Sequence, residues 1–389
     1  MKKYDETQGD DMKKNKLKVI TVAGTRPEII RLACVMPLLD KYVNHITVHT
    51  GQNYDYELNE VFYNDLELRK PDYYLGVDTS SLGHVLGETL IKIEEIFKKE
   101  QPDACLILGD TNASIAAIMA KRMKIPIYHM EAGNRSFDFN VPEEINRRII
   151  DHTADFNLVY TENSRRHLLA EGLPHRRVYV TGSPMFEVLN FYKEKINSSN
   201  ILDELNLKEK EYFIVSAHRE ENVDNKENLK KIVEILNNLA EKYDLPVIVS
   251  THPRTRKRLE MAEGITIDER VKYLKPFGFM DYNCLQLKSK CAISDSGTIS
   301  EESSILNFPA VTVRNSMERP EAIDAGTIII TGLIPEIVLN SVELVINEFE
   351  QRPEYQHICP EYQIHNTSWR VLKTIVGTAK LSNKWWGIN

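Results

Sequence analysis

The sequence predicts an α/β protein made of two doubly wound, parallel-sheet domains facing one another across a cleft. Three observations predict it. Short apolar, β-branched runs alternate with helix-like segments from residue 17 onward. A stretch over 183–205, rich in Asn, Ser and Lys, interrupts this alternation, and the pattern restarts at Tyr212. At 389 residues the chain is also too long for one ordinary core.

Residues 1–16 are polar, lack a signal-peptide core and read as a disordered tail. The first domain is expected over 17–185. Its strands fall at 17–23, 45–50, 104–108, 125–130, 156–160 and 178–181, each a short apolar run bounded by turn residues. Helical periodicity marks 29–41, 55–64, 82–99, 112–123, 143–154 and 163–171. The second domain is expected over 206–361, with strands at 212–216, 246–250, 271–274, 291–294 and 310–313. Its helices fall at 227–242, 254–262, 281–288, 299–307 and 338–349. The final segment, 362–389, reads as a helix that crosses back to the first domain.

Net charge is −8, so no domain-wide basic field attracts nucleic acid. No apolar run reaches the length of a membrane span. The five cysteines are scattered through apolar segments, which suits buried thiols in a reducing cytoplasm. The 11 histidines form no zinc pattern, so no metal is expected. The chain also lacks the dinucleotide fingerprint and the Walker A pattern, so no cofactor is expected.

Charge collects instead at strand ends. His129-Met130-Glu131-Ala132-Gly133-Asn134-Arg135 closes one strand, and Pro142-Glu143-Glu144-Ile145-Asn146-Arg147 follows shortly after. The C-terminal end of a parallel strand is where open α/β sheets bind ligands. Acids with arginines there suit proton transfer on an anionic substrate, whereas a salt-bridged loop needs no ligand. Gly24-Thr25-Arg26-Pro27-Glu28 ends the first strand, with Arg26 at a helix start that favours anions or simply caps the helix. Asp110, in Gly109-Asp110-Thr111, is either a base or a helix cap. Two more charged strand ends favour the reading of a site. His218, in Ser216-Ala217-His218-Arg219, suits a phosphate oxygen. Ser296 and Gly297, in Asp295-Ser296-Gly297-Thr298, offer backbone amides to an anion at a helix start. Glu302 lies one turn further on and suits ribose hydroxyls, and Arg319 adds a cation. Phe277 is a ring for a base to stack on or a plain core aromatic.

These segments, in this order, resemble the non-hydrolysing UDP-N-acetylglucosamine 2-epimerases. The resemblance implies two Rossmann-like domains in the glycogen-phosphorylase-like (GT-B) arrangement, a homodimer, and UDP held mostly by the second domain. It implies elimination of UDP to a glycal, return of a proton to the other face of C2, and re-addition of UDP. Asp110, Glu131 and Glu143 are then the acid and base candidates, with His218, Arg26, Arg319 and the Ser296 and Gly297 amides holding UDP. Arg135 and Arg147 orient the acids or bind diphosphate, and Arg31 stands where the family often has Lys. Crowded carboxylates are expected to raise one another's pKa. The loop between Arg135 and Pro142 is shorter than in the enzymes acting on UDP-N-acetylglucosamine, and the variants at 129–135, 141–148 and 181–185 look closest to the branch that converts UDP-2-acetamido-2,6-dideoxy-L-talose to UDP-N-acetyl-L-fucosamine, a capsule and O-antigen precursor. Conversion of UDP-N-acetylglucosamine to UDP-N-acetylmannosamine is the alternative. A hydrolysing epimerase, a GT-B glycosyltransferase and a UDP-sugar sensor are the rivals. The segment 50–55 lacks the Gln-His pair of members that have a regulatory substrate site.

Overall fold

A computed structural model describes residues 16–51, 63–217, 219–251, 253–260, 266–352 and 358–388. The expected tail and most of the expected helix 55–64 lie outside these residues. The chain divides into two compact units. One runs to Val188 and is completed from Ile364 onward, and the other spans Leu189–Gln363.

The first unit is a seven-stranded parallel sheet. Its strands are β1 (Lys18–Ala23), β2 (Asn44–His49), β3 (Tyr73–Tyr74), β4 (Ala104–Leu108), β5 (Ile127–Ala132), β6 (Phe156–Val159) and β7 (Val178–Val180). Their order is β3-β2-β1-β4-β5-β6-β7, so the winding reverses between β1 and β4. β4 is buried along its whole length, as expected for a strand covered by helices on both faces. Ile20, Val22, Ile107 and Ile127 pack there with Ile93, Phe97, Ala117 and Ile150 from the covering helices.

The second unit repeats the design with β8 (Phe213–Ser216), β9 (Val247–Ser250), β10 (Val271–Leu274), β11 (Cys291–Ser294), β12 (Ala310–Thr312) and β13 (Ile329–Ile330). The order β10-β9-β8-β11-β12-β13 reverses between β8 and β11, and every pairing is parallel. Helix Lys226–Tyr243 starts where the Asn225 side chain accepts from Glu227 N and Asn228 N. Its Leu229, Ile232, Leu236 and Leu239 recur at helical spacing and are buried. The protein is thus an α/β protein of two Rossmann-like domains.

Two local expectations are corrected. The span 29–41 is two helices, Arg26–Leu32 and Val35–Tyr42, rather than one. Pro37 has no N–H for the Ala33 carbonyl, and its ring collides with that carbonyl in a continuous helix. The linker-like stretch folds into three short helices, Met185–Phe191, Lys193–Asn197 and Ile201–Glu204. Val188, Leu189, Tyr192 and Ile196 are buried there, so the apolar residues among the Asn and Lys determine the structure. The two-residue strands β3 and β13 are too short for periodicity to reveal.

The last helix, Thr367–Trp385, belongs to the first unit. Thr367 Oγ1 donates to the carbonyls of Thr181 and Ser183, and Tyr128 Oη lies 2.6 Å from Thr378 Oγ1. Gly182 has φ +89°, and a Cβ there would lie 2.5 Å from the Ile364 Cβ. Gly182→Ala therefore combines left-handed strain with overpacking. It is expected to lower the unfolding free energy by about 2–4 kcal/mol in denaturant titrations.

Candidate active site

In the first unit the winding reversal separates the turns that follow β1 and β4, which leaves room at their C-terminal ends. After β1, Thr25 caps helix Arg26–Leu32, and Glu28 closes the capping box. Glu28 Oε2 accepts from Gly24 N at 2.8 Å, Thr25 N at 2.7 Å and Thr25 Oγ1 at 2.9 Å. Its Oε1 accepts from Thr111 Oγ1 at 2.9 Å, so one buried carboxyl ties the β1 turn to the β4 turn. Arg26 is half-buried at the first position of that helix.

Asp110 lies between Gly109, at φ +74°, and Thr111. Arg147 Nε donates to Asp110 Oδ2 at 2.6 Å, and Asn146 Nδ2 donates to the Asp110 carbonyl at 2.9 Å. Both donors come from helix Pro142–Thr153. Glu131 is the penultimate residue of β5; its φ is +67°, and the register against β6 shifts around it, between Met130 and Ala132. A left-handed non-glycine residue at a bulge is a strained position, and it re-aims the side chain. Glu131 Oε2 takes Arg31 Nη1 at 2.5 Å and Tyr160 Oη at 3.4 Å. A Cβ on Gly109 would lie 3.9 Å from that same oxygen, so the Asp110 turn adjoins Glu131. Each acid has its own guanidinium.

A second layer lies beneath. Asp151 is fully buried and accepts from Arg135 Nη1 at 2.7 Å and from Gly133 N at 3.1 Å. His129 Nδ1 lies 2.9 Å from Asp151 Oδ1, and Nε2 lies 2.8 Å from the Gly109 carbonyl oxygen. Arg135 also forks onto Glu171, at 2.8 and 2.7 Å. That hydrogen bond holds the Glu171 carboxyl down to about 2. The sequence reads Arg135 as orienting the acids or binding diphosphate. Its side chain has no exposed surface, because Asp151 and Glu171 draw it inward, and it braces the loop. Glu143 is exposed in the first turn of helix Pro142–Thr153, whereas Glu144 beside it is buried with Arg147, Arg148 and Ser136 N.

In the second unit β8 and β11 flank the reversal. Asp295, fully buried, accepts from Arg219 N at 2.9 Å and Asn222 Nδ2 at 3.0 Å. It joins the turn after β8 to the turn after β11. His218 itself lies outside the described residues. Ser296 N donates to Ser294 Oγ, and a Cβ on Gly297 would lie 2.8 Å from Glu318 Oε1. Arg319 Nη1 pairs with Glu301 Oε2 at 2.6 Å and reaches the Gly297 carbonyl at 3.3 Å. Glu302 is buried and accepts from Gln286 Nε2 at 2.9 Å. Phe277 is half-buried in the loop after β10.

The sequence model of the UDP-N-acetylglucosamine 2-epimerase family matches residues 39–376. The chain belongs to this family. A UDP-N-acetylglucosamine 2-epimerase structure from Rickettsia bellii is 47% identical, with a TM-score of 0.90 over 96% of this chain and 100% of that one. The Methanocaldococcus jannaschii enzyme in complex with UDP-GlcNAc and UDP is 33% identical, with a TM-score of 0.85 over 93% and 100% of the two chains. A UDP-2,3-diacetamido-2,3-dideoxy-D-glucuronate 2-epimerase from Pseudomonas aeruginosa is 31% identical over 331 residues, 84% of this chain and 91% of that protein. The protein is an isomerase acting on carbohydrates.

Within the first unit the epimerase brings together Asp110, Glu131, Arg31 and Arg147 from four separate elements. Within the second it gathers Ser296, Gly297 and Arg319. Sequence reasoning missed Glu28, His129, Asp151, Tyr160 and Asp295 as parts of the site. Glu28 and His129 stand inside motifs already singled out, and Thr25-x-x-Glu28 is itself a capping signature. Asp151 and Tyr160 carry no local signal.

Burial pushes the Glu28 carboxyl up to about 7 against the lowering effect of Gly24 N, Thr111 and Thr25. The folded enzyme therefore holds this proton more tightly than the unfolded chain. Its stabilising contribution is full below the ordinary value of 4.5 and is lost as pH rises toward 7. Glu28→Gln has no charge to desolvate. Between about pH 5 and about pH 8 the wild type is expected to lose up to about 3 kcal/mol more stability than this variant in urea titrations. Parallel pH slopes would contradict the assignment.

Proposed function

We propose that this enzyme epimerises C2 of a UDP-2-acetamido sugar without hydrolysing it, by elimination and re-addition of UDP. The observation that carries the reading is the pair Asp110 and Glu131, neighbours at the mouth of one parallel sheet, each paired to a buried arginine. The C2 proton is not adjacent to a carbonyl, so direct abstraction is hard. Breaking the C1–O bond first leaves positive charge at C1 and acidifies C2–H. One carboxylate takes that proton and a C1=C2 bond forms. An acid then returns a proton to the opposite face, and UDP re-adds at C1. Arg31 and Arg147 pair with Glu131 and Asp110 and aim them. Glu143, free to swing in its exposed position, is the third acid of the proposal.

The nucleotide falls to the second unit in this reading. Ser296 and Gly297 amides with Arg319 hold phosphate, Phe277 stacks on the base, and Glu302 takes the ribose. His218 and Arg26 stabilise the departing diphosphate. The bound UDP-GlcNAc and UDP of the M. jannaschii relative support this class of ligand. The enzyme acts as a cytoplasmic homodimer that needs no metal or other cofactor, and among the described residues no helix is long and apolar enough to cross a membrane.

The preferred sugar in this proposal is the 6-deoxy L-talo/L-fuco pair, for capsule or O-antigen synthesis. Phe137 and Phe139 support it. Both are exposed on the short loop between Arg135 and Pro142, and Phe137 has φ +54°. An apolar wall suits a methyl group at C5, which leaves no hydroxyl to satisfy. The names of the relatives favour a second substrate, UDP-N-acetylglucosamine. The P. aeruginosa relative, named for a diacetamido glucuronate, supports a family whose loops choose the sugar.

Asp110→Asn, Glu131→Gln and Glu143→Gln are each expected to lower turnover at least about a hundredfold while UDP affinity stays within about threefold. Deuterium from solvent should enter C2 of recovered UDP-sugar. Near-normal turnover in all three variants, or free UDP as the product, would remove the mechanism. In direct competition the 6-deoxy sugar should show at least about tenfold higher kcat/KM than UDP-N-acetylglucosamine. The reverse order would leave the C2-epimerase reading standing and assign UDP-N-acetylglucosamine as substrate.

A further inference from the structure

We infer that His129 is an imidazolium cation and that, in this form, it is a positioning residue for Asp110. His129 sits on β5 with 1% of its surface exposed. Its Nε2 faces the Gly109 carbonyl at 2.8 Å, and its Nδ1 faces Asp151 Oδ1 at 2.9 Å. A carbonyl can only accept. Asp151 accepts from Arg135 Nη1 and Gly133 N, and beside the Arg135 guanidinium its other oxygen faces His129 as an acceptor. A neutral imidazole has one N–H and would point its other nitrogen at an acceptor in a dry interior. The imidazolium donates to both.

Charges of both signs surround it. Asp151 faces His129 from helix Pro142–Thr153, and Asp110, itself paired with Arg147, acts on it from the β4 turn. Arg135 and Glu171 are joined to it through Asp151, and Glu171 also meets Arg148 and His152. The two groups in direct contact with the ring, Asp151 and the Gly109 carbonyl, are both acceptors. Burial pulls the His129 pKa down. The hydrogen bond and charge of Asp151, the Gly109 carbonyl and the Asp110 charge outweigh burial, so the net value lies above the ordinary 6.5.

The link to catalysis is the Gly109 carbonyl. It immediately precedes Asp110, and the turn is also held by Gly109 N on the Met130 carbonyl, by Asn146 and Arg147 on Asp110, and by Glu28 on Thr111. Loss of the His129 proton turns one of its two hydrogen bonds into a repulsive contact and loosens the turn from below. Asp110 then loses its aim while the nucleotide groups of the other unit are untouched. This rests on the reading of Asp110 as a reacting carboxylate.

Nuclear magnetic resonance of the full chain labelled with 15N histidine tests the charge state. Two protonated ring nitrogens are expected for His129 at about pH 8, where an ordinary histidine is neutral. His129→Asn and His129→Gln each retain a donor for only one side. They are expected to lower kcat by about tenfold to a hundredfold, with the sugar KM and the UDP Kd within about threefold. In the wild type, kcat should fall at alkaline pH with the same midpoint as the ring titration, and KM should stay flat. A single protonated nitrogen at about pH 8, differing midpoints, or kcat within about twofold in a folded variant would overturn the inference. If neither variant folds, the two wild-type midpoints decide. Asp110→Asn separates the two readings: full activity there removes Asp110 and this role together, whereas its loss beside an active His129→Asn removes only the role.

Discussion

One buried carboxylate organises the first unit. Asp151 has no exposed surface, and it accepts from His129, from Gly133 N and from Arg135. Removing one partner from such a network leaves an uncompensated charge in a low-dielectric interior, which typically costs about 3–5 kcal/mol. The network therefore holds its geometry, and the site inherits that rigidity. Through His129 it fixes the turn that bears Asp110. Through Gly133 N it fixes the backbone two residues after Glu131. Through Arg135 it reaches Glu171 and anchors the start of the loop that carries Phe137 and Phe139.

The second unit uses the same device. Asp295 is also fully buried at a strand end, and it accepts from a backbone N–H and a side-chain amide of the neighbouring turn. In both sheets the two turns that flank the winding reversal are tied together by an acid that faces inward: Asp295 in the second unit and Glu28 in the first. Exposed acids are thereby separated from structural acids. Asp110 and Glu131 keep part of their surface accessible, while Asp151, Asp295 and Glu28 are committed to backbone geometry.

The inward acids hold the strand ends in place. The loop between Arg135 and Pro142 is tied to them only at its start, and exposed loops of this kind tolerate change in length and side chain. Phe137 adopts a left-handed backbone there, against the preference of a bulky residue, and its ring meets His167 edge-on at 5.4 Å. Backbone strain of this kind clusters at active sites and ligand clamps.

Much of this was legible in the residue order. The alternation of short apolar runs with helical periods determined two parallel-sheet domains, because only a helix crossover joins parallel strands compactly. It also determined that Asp110, Glu131 and Ser296 stand at strand ends. Tertiary structure alone decided the partners. Arg31 meets Glu131 across 100 residues, and Asp110 meets Arg147 across 37, because strand order places those turns side by side. The same packing turned Arg135 inward, left Glu143 exposed and broke the helix ahead of Pro37. A charged side chain finds its partner by distance in space, and that distance is set by sheet order and burial rather than by neighbours in sequence.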